Sequence, residues 1–225
     1  MKIGIITYNK HHRKSYDLLC LLKMKNYNNV NVYWQRWKDK KSHNPIFQHR
    51  PTSCTVAPVA CALKFGYCYK PFSSEIINEN DIILIGGSGI LKKELCDSKK
   101  IINAHPGYLP NVRGLDAYKW AVYEGQPIGV TTHIIDENVD AGILLERQII
   151  PVYISDTFHS VAYRQYEIEI EMLVRAIEIF NKGEYDFNLK PYLNDYPAHK
   201  RMPKEIEFDL LKRFDKIKEK QYIRD

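Results

Sequence analysis

The sequence predicts an α/β fold: a mostly parallel, twisted sheet with helices on both faces, followed by a short C-terminal helical tail. Three observations lead there. Short apolar runs alternate with stretches of helical period through the first half of the chain, as strand–helix–strand units require. Residues 81–86 are apolar almost throughout rather than at every second position, which suits a strand covered on both faces. From residue 156 a helical period is sustained long enough for one long helix, after which Pro191, Pro197 and Pro203 punctuate a tail.

The elements follow in order. Residues 2–8, rich in isoleucine, read as a first strand, and residues 13–25 as a helix carrying Leu18, Leu19, Leu21 and Leu22. Residues 30–35 read as a second strand, and the polar segment 38–53, with Pro45 and Pro51, as a loop. Residues 54–68 are ambiguous. Cys54, Cys61 and Cys68 recur every seven residues and would share one buried helix face, whereas Pro58 and the valines oppose a long helix. Residues 81–86 run into a Gly86-Gly87-Ser88-Gly89 turn, and the strand 100–104 ends at a His-Pro pair. A short helix is expected over 114–124. Strands at 128–135 and 143–150 should be joined by a tight turn at 138–142. The long helix spans 156–181 and is expected to be capped by Asp156. This gives a domain over 1–181 and a tail over 182–225 with one amphipathic helix at 204–218.

The 225 residues suit one domain with an appendage, and a 44% hydrophobic content supplies a core. No apolar run approaches the ~20 residues that span a bilayer, and the N-terminus lacks a signal-peptide layout, so a cytoplasmic protein with no membrane partner is expected. Five cysteines without a C-x-x-C pair point to reduced thiols and no metal. The net charge of +6 fits an anionic small molecule and equally a lysine-rich surface, so it does not decide function. The basic stretches 36–41 and 212–220 are broken by acids, which argues against nucleic acid as a partner. Ligands of such a sheet bind beyond the carboxyl ends of its strands, and the segments there are 8–15, 86–91 and 103–113.

The chemistry concentrates in Asn103-Ala104-His105-Pro106-Gly107-Tyr108-Leu109-Pro110 and in Asp140 of the turn Val139-Asp140-Ala141-Gly142. An amide, an imidazole and a carboxylate can together hold an oxyanion and move a proton near neutral pH. Singly, each has a plainer use: His105 before proline as a turn residue, Asn103 as a strand-end cap, Asp140 as a hairpin residue. His133 can face such a site or satisfy the core.

Residues 101–145 resemble the catalytic core of the 10-formyltetrahydrofolate-dependent formyltransferases, most of all the small nucleotide-sugar N-formyltransferases. The resemblance rests on Asn103, His105, Pro106, Gly107, Leu109 and Pro110, then Arg113-Gly114, Thr131 or Thr132 with His133, and Asp140 with Gly142. The 35-residue interval from His105 to Asp140 also agrees. It implies the formyltransferase, Rossmann-like sheet, with 10-formyltetrahydrofolate as the formyl donor and no metal. Asn103 would then donate to the oxyanion and His105 would shuttle the proton. Asp140 would steady the imidazolium or take a proton through water. Losing any of the three is expected to lower turnover about 100-fold or more. By the same resemblance Ser88, Gly89, Leu91, Asp136 and Glu137 would hold the folate, with His133 and Arg113 in support.

After the first strand the chain carries Tyr8-Asn9-Lys10-His11-His12-Arg13-Lys14 where glycinamide ribonucleotide enzymes have a Gly-Ser-Asn loop. The loop offers cations for a diphosphate, so Tyr8, Asn9, Lys10, His11 and Arg13 are expected to bind the acceptor. The expected acceptor is a dTDP-linked 4-amino-4,6-dideoxyhexose, first dTDP-4-amino-4,6-dideoxyglucose with the 3-amino isomer close behind, of surface polysaccharide (O-antigen, lipopolysaccharide) synthesis. The alternatives are a phosphoribosylglycinamide formyltransferase and an inactive ligand-binding relative. The tail segment 198–206 is similar to an Arg-x-Pro segment of some formyltransferases. Its apolar residues Ile206, Phe208, Leu210, Leu211, Phe214 and Ile217 suit packing on the domain or a homodimer.

Overall fold

The computed structural model describes residues 1–37 and 45–221, with the side chains of 220 and 221 left aside. Residues 38–44, which include part of the expected loop and of the basic stretch 36–41, lie outside it. The elements are β1 (Ile3–Tyr8), α1 (Arg13–Met24), β2 (Val30–Gln35), α2 (Pro58–Lys64), β3 (Cys68–Pro71), α3 (Ile76–Glu79), β4 (Ile82–Ile85), α4 (Lys93–Cys96) and β5 (Ile101–His105). There follow β6 (Arg113–Gly114), α5 (Ala117–Glu124), β7 (Gly129–Ile134), β8 (Ile143–Ile149), α6 (Phe158–Lys182), β9 (Ala198–His199), α7 (Lys204–Glu207) and α8 (Leu210–Gln221).

Seven strands form one sheet in the order β3-β2-β1-β4-β5-β7-β8. The pairings from β3 to β5 are parallel, and β7 runs antiparallel to both its neighbours. The side-chain period of two sends Ile3 and Ile5 to one face of β1 and Ile6 to the other. The first face packs on α1, α2 and the buried stripe of α6; the second, around Tyr33, Ile83 and Ile101, is covered by α3 and α4. Each face therefore buries apolar side chains, and the strands read as unbroken apolar runs for that reason.

Four expectations need correction. The cysteines at 54, 61 and 68 do not share a helix. Pro58 opens α2 after Cys54, and Gly66 at φ +74° turns the chain out before Cys68, so only Cys61 of the three is buried. The helix expected from residue 114 starts at Ala117. Gly114 at φ +90° pairs instead in a short parallel ladder with β9, where a Cβ would collide with the His199 backbone. Thr157, not Asp156, caps α6 through a reciprocal pair with Ser160, while Asp156 grips Arg164 with both oxygens at 2.8 Å. The single tail helix is two, α7 and α8. Leu210, Phe214 and Ile217 of α8 pack on α5 and the start of α6, so this face is used within the chain.

Candidate active site

A cleft of about 780 Å³ opens beyond the carboxyl ends of β1, β4 and β5. It lies where the strand order turns back, with β2 on one side of β1 and β4 on the other. Asn103 and His105 stand two residues apart on β5 and so share a face. His133 lies opposite Asn103 across the antiparallel β5–β7 pair. All three line the cleft, together with Asp140.

The turn after β5 is pinned from below. Thr131 Oγ1 donates to the Gly107 carbonyl at 2.8 Å and accepts the Leu109 N–H at 3.0 Å, and Gln165 of α6 donates to the Pro106 carbonyl at 3.1 Å. His105 Nε2–H donates to the Val112 carbonyl at 2.9 Å. A Cβ on Gly107 would stand 2.5 Å from that nitrogen and 2.6 Å from that oxygen, so the motif needs glycine here. The other ring nitrogen, Nδ1, faces Asp140 Oδ1 at 3.3 Å. With acceptors at both nitrogens, a protonated ring is satisfied at each.

Asp140 reaches His105 from a strained backbone at φ +47°, a conformation costly to a residue with a Cβ. Arg113 holds it there. Its Nε donates to the Val139 and Asp140 carbonyls at 3.1 and 3.2 Å, and its Nη1 donates to the Tyr196 carbonyl at 2.8 Å. The Gly114 N–H donates to Asp140 Oδ2 at 2.8 Å, which leaves Oδ1 for the two histidines. His133 Nδ1–H donates to the Ala141 carbonyl at 2.7 Å, and burial pushes its pKa down against the pull of Asp140. The ring is therefore neutral, with its buried Nε2 lone pair 3.9 Å from Asp140 Oδ1 and no hydrogen-bond partner among the described residues.

One wall carries Ser88, Ile90, Leu91, Ile135, Asp136, Glu137 and Val139. Ile90 is 98% exposed at the mouth, an apolar edge that a flat ring could cover. Asp136 Oδ1 accepts the Asn138 N–H at 2.8 Å, and Glu137 pairs with Lys93 at 2.6 Å. Gly89 is exposed beside this wall, its N–H donating to Gln35 Oε1 at 3.3 Å.

The opposite wall is charged. Glu169 of α6, 1% exposed, meets Lys14 Nζ and Arg50 Nη2 at 2.7 Å each. Burial raises the Glu169 pKa, but Arg50 and Lys14 outweigh it and hold the carboxyl below its ordinary value. Burial draws the Lys14 ammonium down, with Glu169 opposing. Lys14 also donates to the carbonyl of Ala104, between Asn103 and His105. His12 and His49 complete the wall. Burial, then Lys14 and Arg50, lowers His12 to about 4, and burial, then Lys119, lowers His49 to about 4. Both are neutral near pH 7, so two cations around one carboxylate leave this wall positive. Arg201 of the tail lies at the rim, where Asp116 Oδ1 faces its guanidinium at 3.9 Å.

The five residues expected at the acceptor lie beside this wall rather than in it. Tyr8 packs edge-on against His12 and Trp37, and Asn9 accepts the Trp37 N–H at 2.9 Å. Lys10 lies over the Trp37 ring, His11 is exposed, and Arg13 pairs with Asp17 at 2.6 Å on its own helix. His12 and Lys14, in the same segment, line the cleft instead. Sequence reasoning also passed over His49, Arg50 and Glu169. The signal for Glu169 was an acid on the buried stripe Val161, Gln165, Glu169, Met172, Ala176 of a long helix.

Among the described residues no group of three His, Cys, Asp or Glu could hold a metal ion, and no helix is long and apolar enough to cross a membrane. Residues 76–177 match the formyl transferase family model. A phosphoribosylglycinamide formyltransferase of Haemophilus influenzae is 32% identical over 105 residues, 45% of this chain and 50% of that protein. A dTDP-4-amino-4,6-dideoxyglucose formyltransferase of Mycobacterium bovis is 28% identical over 113 residues, 50% of this chain and 48% of its own. The chain thus spans half or less of these curated relatives. An N-formyltransferase from Helicobacter canadensis, solved with folinic acid and dTDP-3-aminofucose, shares the fold at a TM-score of 0.64 and 20% identity, over 100% of this chain and 84% of that one. Asn103, His105, His133 and Asp140 all fall within the matched segment, so the floor of the cleft lies in the part of the chain that is similar to the formyl transferases.

Proposed function

We propose that the protein is a sugar N-formyltransferase, which moves the formyl group of 10-formyltetrahydrofolate to the amine of a nucleotide-linked amino-dideoxy sugar. The first candidate acceptor is dTDP-4-amino-4,6-dideoxyglucose, and the setting is surface polysaccharide synthesis in the cytoplasm. The observation that carries this reading is the convergence of Asn103, His105 and Asp140 on one cleft with an apolar edge on one wall and positive charge on the other. The apolar edge of Ile90, Leu91 and Val139 suits a pterin ring, and the wall of Lys14, Arg50 and Arg201 suits a diphosphate.

The donor supplies a formyl carbon on N10. As the acceptor nitrogen bonds to that carbon, the Asn103 amide donates to the oxygen that gains charge. The proton lost by the acceptor nitrogen passes by way of the Asp140 Oδ1–His105 Nδ1 pair toward N10, whose bond to the formyl carbon then breaks, giving a formamide and tetrahydrofolate. Asp140, fixed by Gly114 and Arg113, keeps Nδ1 of that ring in register. The neutral His133 offers Nε2 as a further acceptor beside the same carboxylate.

The test is a panel of acceptors with 10-formyltetrahydrofolate: dTDP-4-amino-4,6-dideoxyglucose, its 3-amino isomer, a GDP-linked amino sugar and glycinamide ribonucleotide. Turnover with a dTDP-sugar supports the reading. Turnover with glycinamide ribonucleotide alone overturns it in favour of a purine-pathway enzyme, to which the Haemophilus influenzae relative is similar.

A further inference from the structure

Residues 45–53 form a strap without helix or strand that carries Gln48, His49, Arg50 and Thr52 to the cleft. Its anchor lies in the tail. Glu207 of α7 is fully buried, at 0% exposure. Its Oε2 accepts the backbone N–H of Ile46 at 2.7 Å and of Phe47 at 3.2 Å, and its Oε1 accepts from Lys119 Nζ of α5 at 2.8 Å. Lys119 is likewise fully buried. Burying two charges is expensive, and an apolar pair of the same volume often docks elements as well or better. The tail already has apolar anchors in Met202, Leu210 and Phe214. What an apolar residue at 207 cannot do is bind two strap N–H groups, which would otherwise lack a partner at a partly buried point.

The residues immediately after this tether make the strap's other contacts. Phe47 packs on Phe158 with ring centroids 5.9 Å apart, the His49 ring stacks on Tyr118 at 6.3 Å and 16°, and Arg50 reaches Glu169 at 2.7 Å. Fixing the backbone at 46 and 47 thus sets how far along α5 and α6 these side chains land. We propose that Glu207 is a positioning residue for the acceptor: by holding the strap at Ile46 and Phe47 it keeps His49 and Arg50 on the positive wall of the cleft. This rests on reading that wall as the acceptor side, and it gives the tail a part in substrate selection.

Two double variants test it. Glu207→Leu with Lys119→Met removes the tether without stranding a charge, whereas Glu207→Gln with Lys119→Gln keeps a carboxamide oxygen for the two N–H groups and lets the amides pair. In the Leu/Met variant, amide exchange at residues 46 and 47 should rise about tenfold or more. Its KM for the amino-sugar nucleotide should rise about tenfold, with kcat and the donor KM within about twofold. The Gln/Gln variant should stay near wild type in all three. Unchanged exchange at 46 and 47, or raised exchange with an unchanged acceptor KM, overturns the proposal, as does equal damage to donor and acceptor kinetics in both variants. If the wild-type protein formylates no amino-sugar nucleotide, the functional reading falls, and the exchange comparison alone then decides whether Glu207 holds the strap.

Discussion

The floor of the cleft and its positive wall are assembled in different ways. The floor draws Asn103, His105, His133 and Asp140 from adjacent strands and one turn, and short backbone hydrogen bonds hold them. The positive wall draws Lys14, Arg50, Glu169 and Arg201 from α1, the strap, α6 and the tail, and ion pairs around the buried Glu169 hold Lys14 and Arg50. A site built by strand register tolerates little change in chemistry but little threatens its shape. A wall built by charge pairing is open to variation in every partner, which suits the side proposed to choose the acceptor.

The largest expected effect falls on the wall. Glu169→Leu leaves Lys14, 13% exposed, and Arg50, 30% exposed, without their carboxylate; since Arg50 can reach water, a loss of about 3 kcal/mol is expected in urea unfolding. A loss below about 1 kcal/mol would mean the pairs do not hold the wall. On the floor, Asp140→Asn should keep stability near wild type and lower kcat about 100-fold or more, with the acceptor KM within about threefold. A KM effect of the same size would put Asp140 in binding rather than proton transfer.

Next comes pH. The folded-state pKa of His12 and of His49 is about 4, below the ordinary 6.5. Between these values the unfolded chain binds protons that the folded one refuses, so stability falls as pH drops from 6.5 toward 4. Melting temperature against pH should show that slope, and His12→Asn should flatten it; an unchanged slope would remove His12 as a source. The smallest effect is at the rim. Arg201→Ala, at a half-exposed side chain, should raise the acceptor KM about threefold to tenfold with kcat unchanged.

The contrast also explains what could be read from the chain. The floor was legible in part: strand alternation puts Asn103 and His105 on one face, whereas the approach of Asp140 was implied only by the resemblance. The sheet was legible because its strands are apolar runs covered on both faces. The wall was not. Lys14 looks like any helix lysine until α6 presents Glu169, 155 residues away, and Arg50 sits in a polar loop with no periodicity. The acceptor residues named from sequence, among them Asn9 and Arg13, share the segment with His12 and Lys14; helix phase separates Arg13 from Lys14, whereas Asn9 accepts the Trp37 N–H before α1 begins. Short elements were also hidden. β6 and β9 exist because Gly114 admits a backbone at φ +90° close to His199, a pairing across the chain with no local signature.

The most direct measurement of the central claim is the mass of the sugar product when the protein is mixed with 10-formyltetrahydrofolate and dTDP-4-amino-4,6-dideoxyglucose, with His105→Ala in parallel. An N-formylated sugar nucleotide is expected, at a rate that falls about 100-fold or more in the variant. Formylation at equal rates in both proteins, or none in the wild type with this acceptor or its 3-amino isomer, would contradict it.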